Sequence, residues 1–275
     1  GGIFALETYP ADNTNRGYLG TLQANFTGNS VTSENSTAVG AMSVGINTTI
    51  DTIINSVYQN NSATGRSLTY TNSNLETVSA YTGGGAILNR GTINNIIDTD
   101  FIGNTVITTE GAACGGAIFN SVTGTMNIYA VNKDVLFRGN TATSANAAAL
   151  GGAIYNEGTL TISGNDDYKV IFDSNYIDDN MSARAAAYFG SSTSIATISN
   201  AIFRNNYTSN VATIGLMPKA QLYISDSEFT NNYTTDDGYA GVIWLNKDSA
   251  ESYDTVLSVK NSLFSSNAAG ASGGV

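Results

Sequence analysis

The sequence predicts an all-β fold: a single-stranded parallel β-helix of about eight rungs, with three short strands in each rung. Three repeated features predict this fold. A Gly-Gly-Ala-Ile element recurs along the chain, a Phe-x-x-Asn element alternates with it, and pairs of apolar residues spaced two apart precede the phenylalanines. The repeat of roughly 30 residues is too short to bury its own apolar face, so successive units must stack. We therefore expect residues 1–275 to form one β-helix domain.

The first element predicts a sharp corner in each rung. Its clearest copies are Gly84–Asn89, Gly115–Asn120 and Gly151–Asn156, each with an asparagine at the sixth position. Glycine has no Cβ, so a Gly-Gly-Ala step lets the chain turn tightly while neighbouring rungs come close. Weaker copies are Ala185–Phe189 and Ala240–Asn246, and the Gly-Gly-Ala element is degenerate in the rungs near residues 40, 186 and 213.

The second element predicts two internal ladders. It occurs as Phe26 with Asn29, Phe101 with Asn104, Phe137 with Asn140, Phe172 with Asn175, Phe203 with Asn206, Phe229 with Asn232 and Phe264 with Asn267. Tyr58 occupies the remaining aromatic position. A phenylalanine at the same point of every rung is expected to stack on the next one, and each asparagine amide is expected to bond the amides of adjacent rungs.

The third element supplies a further strand. Leu222 and Ile224 precede Phe229, and similar pairs precede Phe203 and Phe264. Residues spaced two apart leave the same face of a β-strand. Helical repeats of similar length are excluded because this apolar pattern has period two and because Asn, Gly and Thr are poor helix formers.

Composition excludes several classes of function. The chain has 22 Asp plus Glu against 11 Lys plus Arg, a formal net charge of -11, no His and one Cys. The acidic balance argues against nucleic acid as a partner, which rewards basic contacts to phosphate. No histidine-based metal site or catalytic triad is possible, and we expect no cofactor. No apolar run is long enough for this segment to insert in a membrane.

Unequal spacing between the aromatics predicts where ligands bind. The longest interval runs from Tyr58 to Phe101, so we expect an inserted loop at about residues 62–82 to project from the rod. The candidate ligand contacts are Arg66, Tyr70 and Tyr81 in this loop and a strip formed by Tyr176, Tyr207 and Tyr233. The strip also has a structural interpretation, because tyrosines beside the asparagine corners can simply stack between rungs.

Several acidic residues are candidates for catalytic or calcium-binding groups. Asp98 and Asp100 are spaced to share one face of a strand, which makes them the best-placed carboxylate pair. Calcium candidates are Asp178, Asp179, Asp236 and Asp237. Most of these residues flank Gly, Asn or Ser, so turn formation explains them as well, and we expect neither catalysis nor a dedicated metal site.

The alternation of Gly-Gly-Ala-Ile with Phe-x-x-Asn resembles the repeats of chlamydial polymorphic outer membrane proteins and related β-helical autotransporter passengers. It is similar also to adhesin-like surface proteins of gut archaea and bacteria. The resemblance implies an extracellular right-handed β-helix that is secreted or anchored at the cell surface and used for adhesion. Since the chain begins at Gly1, we expect it to be a piece of a longer repeat protein.

The leading functional expectation is a surface-displayed adhesin or spacer. Its partner is expected to be a protein or glycan on a host or neighbouring cell, which places it outside the cell or at the cell surface. A structural surface or filament component, self-associating end to end through open β-helix ends, is the first alternative. A polysaccharide-active enzyme is the second, because parallel β-helices also carry lyases and hydrolases.

Overall fold

The structure is a computed structural model that describes residues 4–6, 16–71, 77–177, 183–235, 238–246, 254–271 and 273. The described chain winds through stacked parallel sheets, and each strand pairs with the equivalent strand of the rungs before and after it. Three of the sheets contain eight strands each and a fourth contains seven. The predicted fold class, an all-β parallel β-helix of about eight rungs, is confirmed.

We number the sheets in the order in which the chain crosses them after the Gly-Gly-Ala corner. The strands of sheet 1 are Phe4–Leu6, Met42–Val44, Ile87–Asn89, Ile118–Asn120, Ile154–Asn156, Tyr188–Gly190, Ile214–Leu216 and Ile243–Leu245. Those of sheet 2 are Gly17–Leu22, Thr48–Ile54, Thr92–Ile97, Thr125–Tyr129, Thr159–Ser163, Ile195–Ser199, Gln221–Ser225 and Val256–Lys260.

Sheet 3 carries the phenylalanines, and sheet 4 follows the asparagines. The strands of sheet 3 are Asn25–Thr27, Val57–Gln59, Asp100–Ile102, Val135–Arg138, Val170–Asp173, Ala201–Arg204, Glu228–Thr230 and Leu263–Ser265. Those of sheet 4 are Ser30–Thr32, Ser62–Arg66, Thr105–Glu110, Thr141–Ser144, Tyr176–Ile177, Tyr207–Thr208 and Tyr233–Thr234. A short sheet 5 contains Thr82–Gly83, Ala113–Cys114, Ala149–Leu150 and Ala183–Arg184.

The prediction of three strands per rung is wrong, because the structure contains two further sheets, 4 and 5, that the sequence pattern did not predict. The inward residue of sheet 4 varies between rungs and is Val31, Ala63, Val106, Ala142, Ile177, Thr208 or Thr234. The apolar ones among them form a second, smaller core with the alanines of sheet 5. Because this position varies among Val, Ala, Ile and Thr, it lacks the single recurring residue that marks the phenylalanine and asparagine ladders.

The predicted insertion at residues 62–82 is shorter than expected. Ser62–Arg66 pairs in register with Thr105–Glu110 and is part of sheet 4, while Thr82–Gly83 belongs to sheet 5. Between them, Leu68–Thr71 and Thr77–Ala80 form an antiparallel hairpin. The two ends of this hairpin meet, since the Thr82 backbone N donates to Ser67 Oγ over 2.8 Å.

The aromatic residues of sheet 3 form a continuous internal ladder. Its rings are Phe26, Tyr58, Phe101, Phe137, Phe172, Phe203, Phe229 and Phe264. Phe172 and Phe203 have ring centroids 4.6 Å apart and planes 2° apart. Burial is complete for the rings from Tyr58 to Phe229, and it decreases at Phe26 and Phe264. The ring spacing equals the strand spacing of a sheet, so each ring rests on the next without adjustment.

The asparagines form the expected second ladder along the corner between sheets 3 and 4. Asn140 Nδ2 donates to Asn175 Oδ1 over 2.9 Å and to the Phe101 carbonyl over 2.9 Å, while its Oδ1 accepts from Asn104. The same pattern runs from Asn29 to Asn267. The left-handed φ of this corner lies one residue earlier, at positions such as Gly139 and Asn205, and not at the ladder asparagine. Each buried amide is thus satisfied by the rungs above and below it.

The Gly-Gly-Ala corner brings rungs together as its composition predicts. The first glycine has a left-handed φ of 66° at Gly151. A Cβ on the second glycine, Gly152, would lie 2.3 Å from the Ala186 carbonyl oxygen of the next rung. The asparagine that ends the element forms a further buried ladder, in which Asn120 Nδ2 donates to Asn156 Oδ1 over 2.8 Å.

Candidate binding groove

The predicted tyrosine strip lies on the outer face of sheet 4. Tyr176, Tyr207 and Tyr233 pair in register. Their ring centroids are 5.2 Å and 5.5 Å apart and their planes nearly parallel. Tyr233 is 40% exposed. Because each ring covers the face of its neighbour, the strip presents mainly ring edges to solvent. The strip therefore has the arrangement expected if the three tyrosines simply stack between rungs.

The other predicted contacts fall in three places. Arg66 lies in sheet 4 and is ion-paired with Glu110 of the adjacent rung. Tyr70 belongs to a hairpin strand, and Tyr81 lines a groove between sheets 5 and 1. All four predicted calcium ligands, Asp178, Asp179, Asp236 and Asp237, lie outside the described residues.

Asp98 and Asp100 hold a loop of the next rung. Asp98 lies in a corner with a φ of 50°, and its carboxylate accepts from the backbone N–H groups of Val131 and Asn132. Burial by itself raises the pKa of Asp98, but these hydrogen bonds outweigh it and lower that pKa below its ordinary value. Asp100 accepts from Lys133 Nζ over 2.8 Å. Both carboxylates are therefore occupied structurally, and they do not share one strand face.

A different feature stands out on the outer surface, where sheets 5 and 1 meet. The middle residue of each sheet 1 strand points away from the rod and aligns with its neighbours into a column of outward side chains. From rung to rung this outer column runs Leu88, Phe119, Tyr155, Phe189, Gly215 and Trp244. It packs against outward residues of sheet 5, including Cys114 and Leu150, and forms an apolar cluster outside the main core.

This contact exists because the corner between the two sheets folds their outer faces toward each other. A Cβ on Gly83 of sheet 5 would lie 2.7 Å from the Phe119 ring of sheet 1. Left-handed residues at Gly115, Gly151 and Ala185 repeat the same corner in successive rungs. The result is a concave crease along the rod.

Part of this crease opens into a groove of about 500 Å³. Its apolar lining comes mainly from Tyr81, Leu150, Tyr155, Phe189 and Met217. The polar lining consists of Glu157, Arg184, Ser191, Ser192 and Thr193. A concave site with an apolar base and a few polar groups has the character and size of a small-ligand site.

Glu157 supplies the negative charge of the groove. Its Oε1 accepts from the Tyr155 hydroxyl over 3.0 Å. Burial raises the pKa of Glu157 above its ordinary value, and hydrogen bonds from the Tyr155 hydroxyl and the Val122 backbone offset that increase only in part. A half-buried carboxylate of this kind has a strong demand for further hydrogen-bond donors.

Arg184 supplies the positive charge. Its guanidinium carbon lies 5.6 Å from the centre of the Trp244 ring, within the range of a cation–π contact. One guanidinium nitrogen lies 3.7 Å from Met217 Sδ. Within the described part of the chain, no carboxylate is ion-paired with Arg184. The planar donor group is thus held in place while its donors remain available to a ligand.

Cys114 lies beneath the groove and is fully buried. Burial, and next the charge of Glu157, raise the pKa of its thiol well above the ordinary value. The thiol therefore stays protonated and packs as a small apolar side chain, in agreement with its expected role.

Sequence reasoning had found only Tyr81 among the residues of this groove. The sequence does contain a signal for the groove. The variable position x of Gly-Gly-Ala-Ile-x-Asn is occupied by Leu88, Phe119 and Tyr155, which are large and apolar. Because side chains alternate between the two faces of a strand, residues at this position point to the outer face. Such residues on an outer face indicate that something covers them.

No protein-family model, no curated protein and no solved structure matches the chain. The resemblance to autotransporter-type and adhesin-like repeats thus stays a prediction. Across the described ranges, no helix combines the length and apolar character needed to cross a membrane. Nor do the described residues contain a group of three or more His, Cys, Asp or Glu suited to a metal ion.

Proposed function

We propose that this protein is an extracellular, surface-displayed β-helix that acts as an adhesin, with its ligand site in the groove between sheets 5 and 1. The observation that carries the proposal is the outer column of Leu88, Phe119, Tyr155, Phe189 and Trp244, whose members Tyr155 and Phe189 line a groove that holds both a carboxylate and a guanidinium. The internal ladders already hold the stacked rungs together, so the second apolar column on the outer surface is not needed for stacking and is available for ligand binding.

The rest of the rod is suited to display. Few charges, stacked amide ladders and short corners make a rigid support on which one face can carry the contact. Adhesion is favoured over hydrolysis because the described residues lining the groove include one carboxylate, Glu157. Hydrolysis of a glycosidic bond by the usual mechanism needs two facing carboxyl groups.

The test is binding of fluorescently labelled protein to a panel of animal and bacterial cells, measured by flow cytometry. The variant Tyr81→Ala/Arg184→Ala should lose binding at least tenfold, because it removes a ring and the guanidinium that line the groove. Its matched control, Tyr207→Ala/Arg204→Ala, changes the same residue types on the outer faces of sheets 4 and 3 and should bind as the parent does.

A hairpin deletion separates the groove from the predicted loop. Replacing residues 69–79 by two glycines keeps Tyr81 and closes a gap whose ends already meet at Ser67 and Thr82. We expect this variant to bind cells normally. If the hairpin deletion abolishes cell binding and the groove variant does not, the ligand site lies in the hairpin. If the parent protein binds none of the cells tested, the adhesin proposal is overturned.

A further inference from the structure

The groove carries two opposite charges that lie at different rungs of the rod. Glu157 directly follows the sheet 1 strand Ile154–Asn156. The guanidinium of Arg184 contacts Met217, which follows the sheet 1 strand two rungs further on, and lies over Trp244, which belongs to the strand three rungs further on. The negative charge therefore lies toward the N-terminal end of the groove, and the positive charge lies toward its C-terminal end.

Both charges lack a protein partner of opposite sign. In the described ranges, the ion pairs involve neither Glu157 nor Arg184, and these two groups are not paired with each other. Each side chain is half-buried. A charge that is partly withdrawn from water is stabilised when an opposite charge meets it. A ligand that carries one charge of each sign can pair with both groups, whereas a neutral glycan can form an ion pair with neither.

The surface between the two charges is apolar. Phe189 belongs to the rung between those of Tyr155 and Met217, and it lines the groove. Leu150 and Met217 line the groove as well and are half-buried. The flexible thioether side chain of Met217 adapts to differently shaped partners. The middle of the ligand should therefore carry an apolar side chain.

The rim offers hydroxyl groups beside this surface. Its turn is closed by the Ser194 backbone N–H, which donates to the Ser191 carbonyl over 3.0 Å. The Thr193 hydroxyl donates to the Glu157 carbonyl over 2.7 Å, which fixes the turn to the preceding rung. Ser192 is exposed at the rim. Its hydroxyl can donate to a peptide carbonyl or accept from a peptide N–H.

We propose that the groove binds a peptide segment of a cell-surface protein in which an apolar side chain lies between a basic and an acidic one. This assignment rests on the proposed function. The basic side chain pairs with Glu157, the apolar one packs against Phe189, and the acidic one accepts hydrogen bonds from the Arg184 guanidinium. Such a segment has no net charge, so the formal charge of -11 on the chain does not repel it. The two charges also fix its direction, because a reversed segment would bring like charges together.

The protein contains its own reporter of binding. Trp244 is the single tryptophan of the chain, and the guanidinium carbon of Arg184 lies 5.6 Å from the centre of its ring. A carboxylate that pairs with Arg184 should therefore change the tryptophan emission.

The probes are capped peptides without tryptophan that carry one Lys and one Glu, in both orders, separated by one to three residues that include a leucine. Matched peptides replace the Lys or the Glu by Gln, or the leucine by serine. Free leucine and neutral oligosaccharides of glucose and N-acetylglucosamine serve as further comparisons.

At least one Lys/Glu peptide should change the Trp244 emission saturably and give a calorimetric binding signal. Glu157→Gln and Arg184→Gln should each weaken its affinity at least tenfold. The matched controls Glu228→Gln and Arg138→Gln, which are exposed on the outer face of sheet 3, should leave it within a factor of two. In the Glu157→Gln variant, exchanging the peptide Lys for Gln should no longer weaken binding, because the two changes remove the same contact.

A charge reversal separates lost contacts from lost structure. Arg184→Glu should no longer bind the Lys/Glu peptides, and it should bind a peptide with two Lys at least tenfold more tightly than the parent does, because both ends of the groove are then acidic. A misfolded variant cannot gain affinity in this way. If thermal unfolding shows an intact variant without this gain, the pairing with Arg184 is overturned.

The outcomes distinguish this inference from the adhesin proposal. If groove variants lose cell binding while no Lys/Glu peptide binds, or while only oligosaccharides bind, adhesion through the groove stands and the peptide assignment is overturned. Equal affinity for the Gln-substituted peptides or for free leucine would also overturn it, because separated charges would then not select the ligand. Peptide binding without any cell binding would support this inference and contradict the adhesin proposal.

Discussion

Two columns of stacked side chains run along this rod, one inside it and one outside. The inner column repeats phenylalanine, with Tyr58 as its exception, and the ring planes of neighbours lie within 10° of each other. The outer column changes residue at nearly every rung, and Phe119 and Tyr155 are tilted by 59°. The side chains of both columns project from parallel strands with the same spacing between neighbouring rungs.

The two columns differ because the residue type is constrained more strongly inside the rod than on its outer face. Inside the rod a ring has neighbours on every side, and an identical ring in each rung fills the space with one geometry. In the outer column the rings are also nearly covered, but Tyr155 and Phe189 line the groove on one side, so fewer neighbours fix the tilt of the rings and the residue type. Repeated residues therefore identify the scaffold, and varied apolar residues on an outer face identify the candidate site.

The largest expected effect comes from the inner column. Phe172→Ala should lower the free energy of unfolding by about 3–5 kcal/mol, because it opens a cavity between two fully buried rings. Phe189→Ala in the outer column should cost clearly less, since Phe189 lines the groove and solvent in the groove can fill part of the space. Urea titration followed by circular dichroism measures both, and equal losses would contradict the contrast between the columns.

The next largest effect concerns the inner amide ladder. Asn140→Ala removes the side-chain oxygen that accepts from Asn104 Nδ2 and from the Asn104 backbone N–H, and it removes the side-chain donor to the Phe101 carbonyl. Each buried group left unpaired should cost about 1–3 kcal/mol. Asn146, which is exposed and bonds one carbonyl, provides the control. An Asn146→Ala variant should unfold like the parent protein, and a similar result for Asn140→Ala would refute the ladder's contribution.

A smaller effect should appear in the pH dependence of the outer column. The pKa of Glu157 is higher in the folded chain than its ordinary value, so the folded state holds this proton more tightly than the unfolded state. Its stabilising contribution is present below the ordinary Glu pKa and is lost as pH rises through the folded value. Glu157→Gln removes this dependence while keeping an acceptor for Tyr155.

The measurement is the difference in unfolding free energy between parent and Glu157→Gln from pH 3.5 to 7. The parent should lose stability relative to the variant as pH increases across the upper part of this range. A difference that does not change with pH would show that the carboxylate is not held in a desolvating groove.

The smallest effect is expected at the tyrosine strip. Tyr207 stacks between Tyr176 and Tyr233 on an outer face. Tyr207→Ala should cost about 1 kcal/mol of stability, the usual contribution of surface ring pairs, without changing cell binding. Thermal unfolding and the cell assay check the two parts. A loss of binding would make the strip, and not the groove, the contact surface.

The features that repeat from rung to rung could be predicted from the amino-acid sequence alone. Alternating Gly-Gly-Ala-Ile and Phe-x-x-Asn predicted the β-helix, its number of rungs and both inner ladders, because each role requires one residue type at one phase. Asn140 and Phe172 could be assigned this way without coordinates. The predicted adhesin function was drawn from a resemblance and stays a proposal.

The features that vary from rung to rung became evident only from the folded chain. The inward residue of sheet 4 is Val, Ala, Ile or Thr, so the place of Ser62–Arg66 in that sheet became evident from its pairing with Thr105–Glu110. The groove brings Tyr81, Glu157 and Arg184 together from different rungs. Their proximity depends on the angle at which sheets 5 and 1 fold toward each other at a left-handed corner. The spacing of residues along one rung does not determine that angle, so the groove could not be predicted from the sequence.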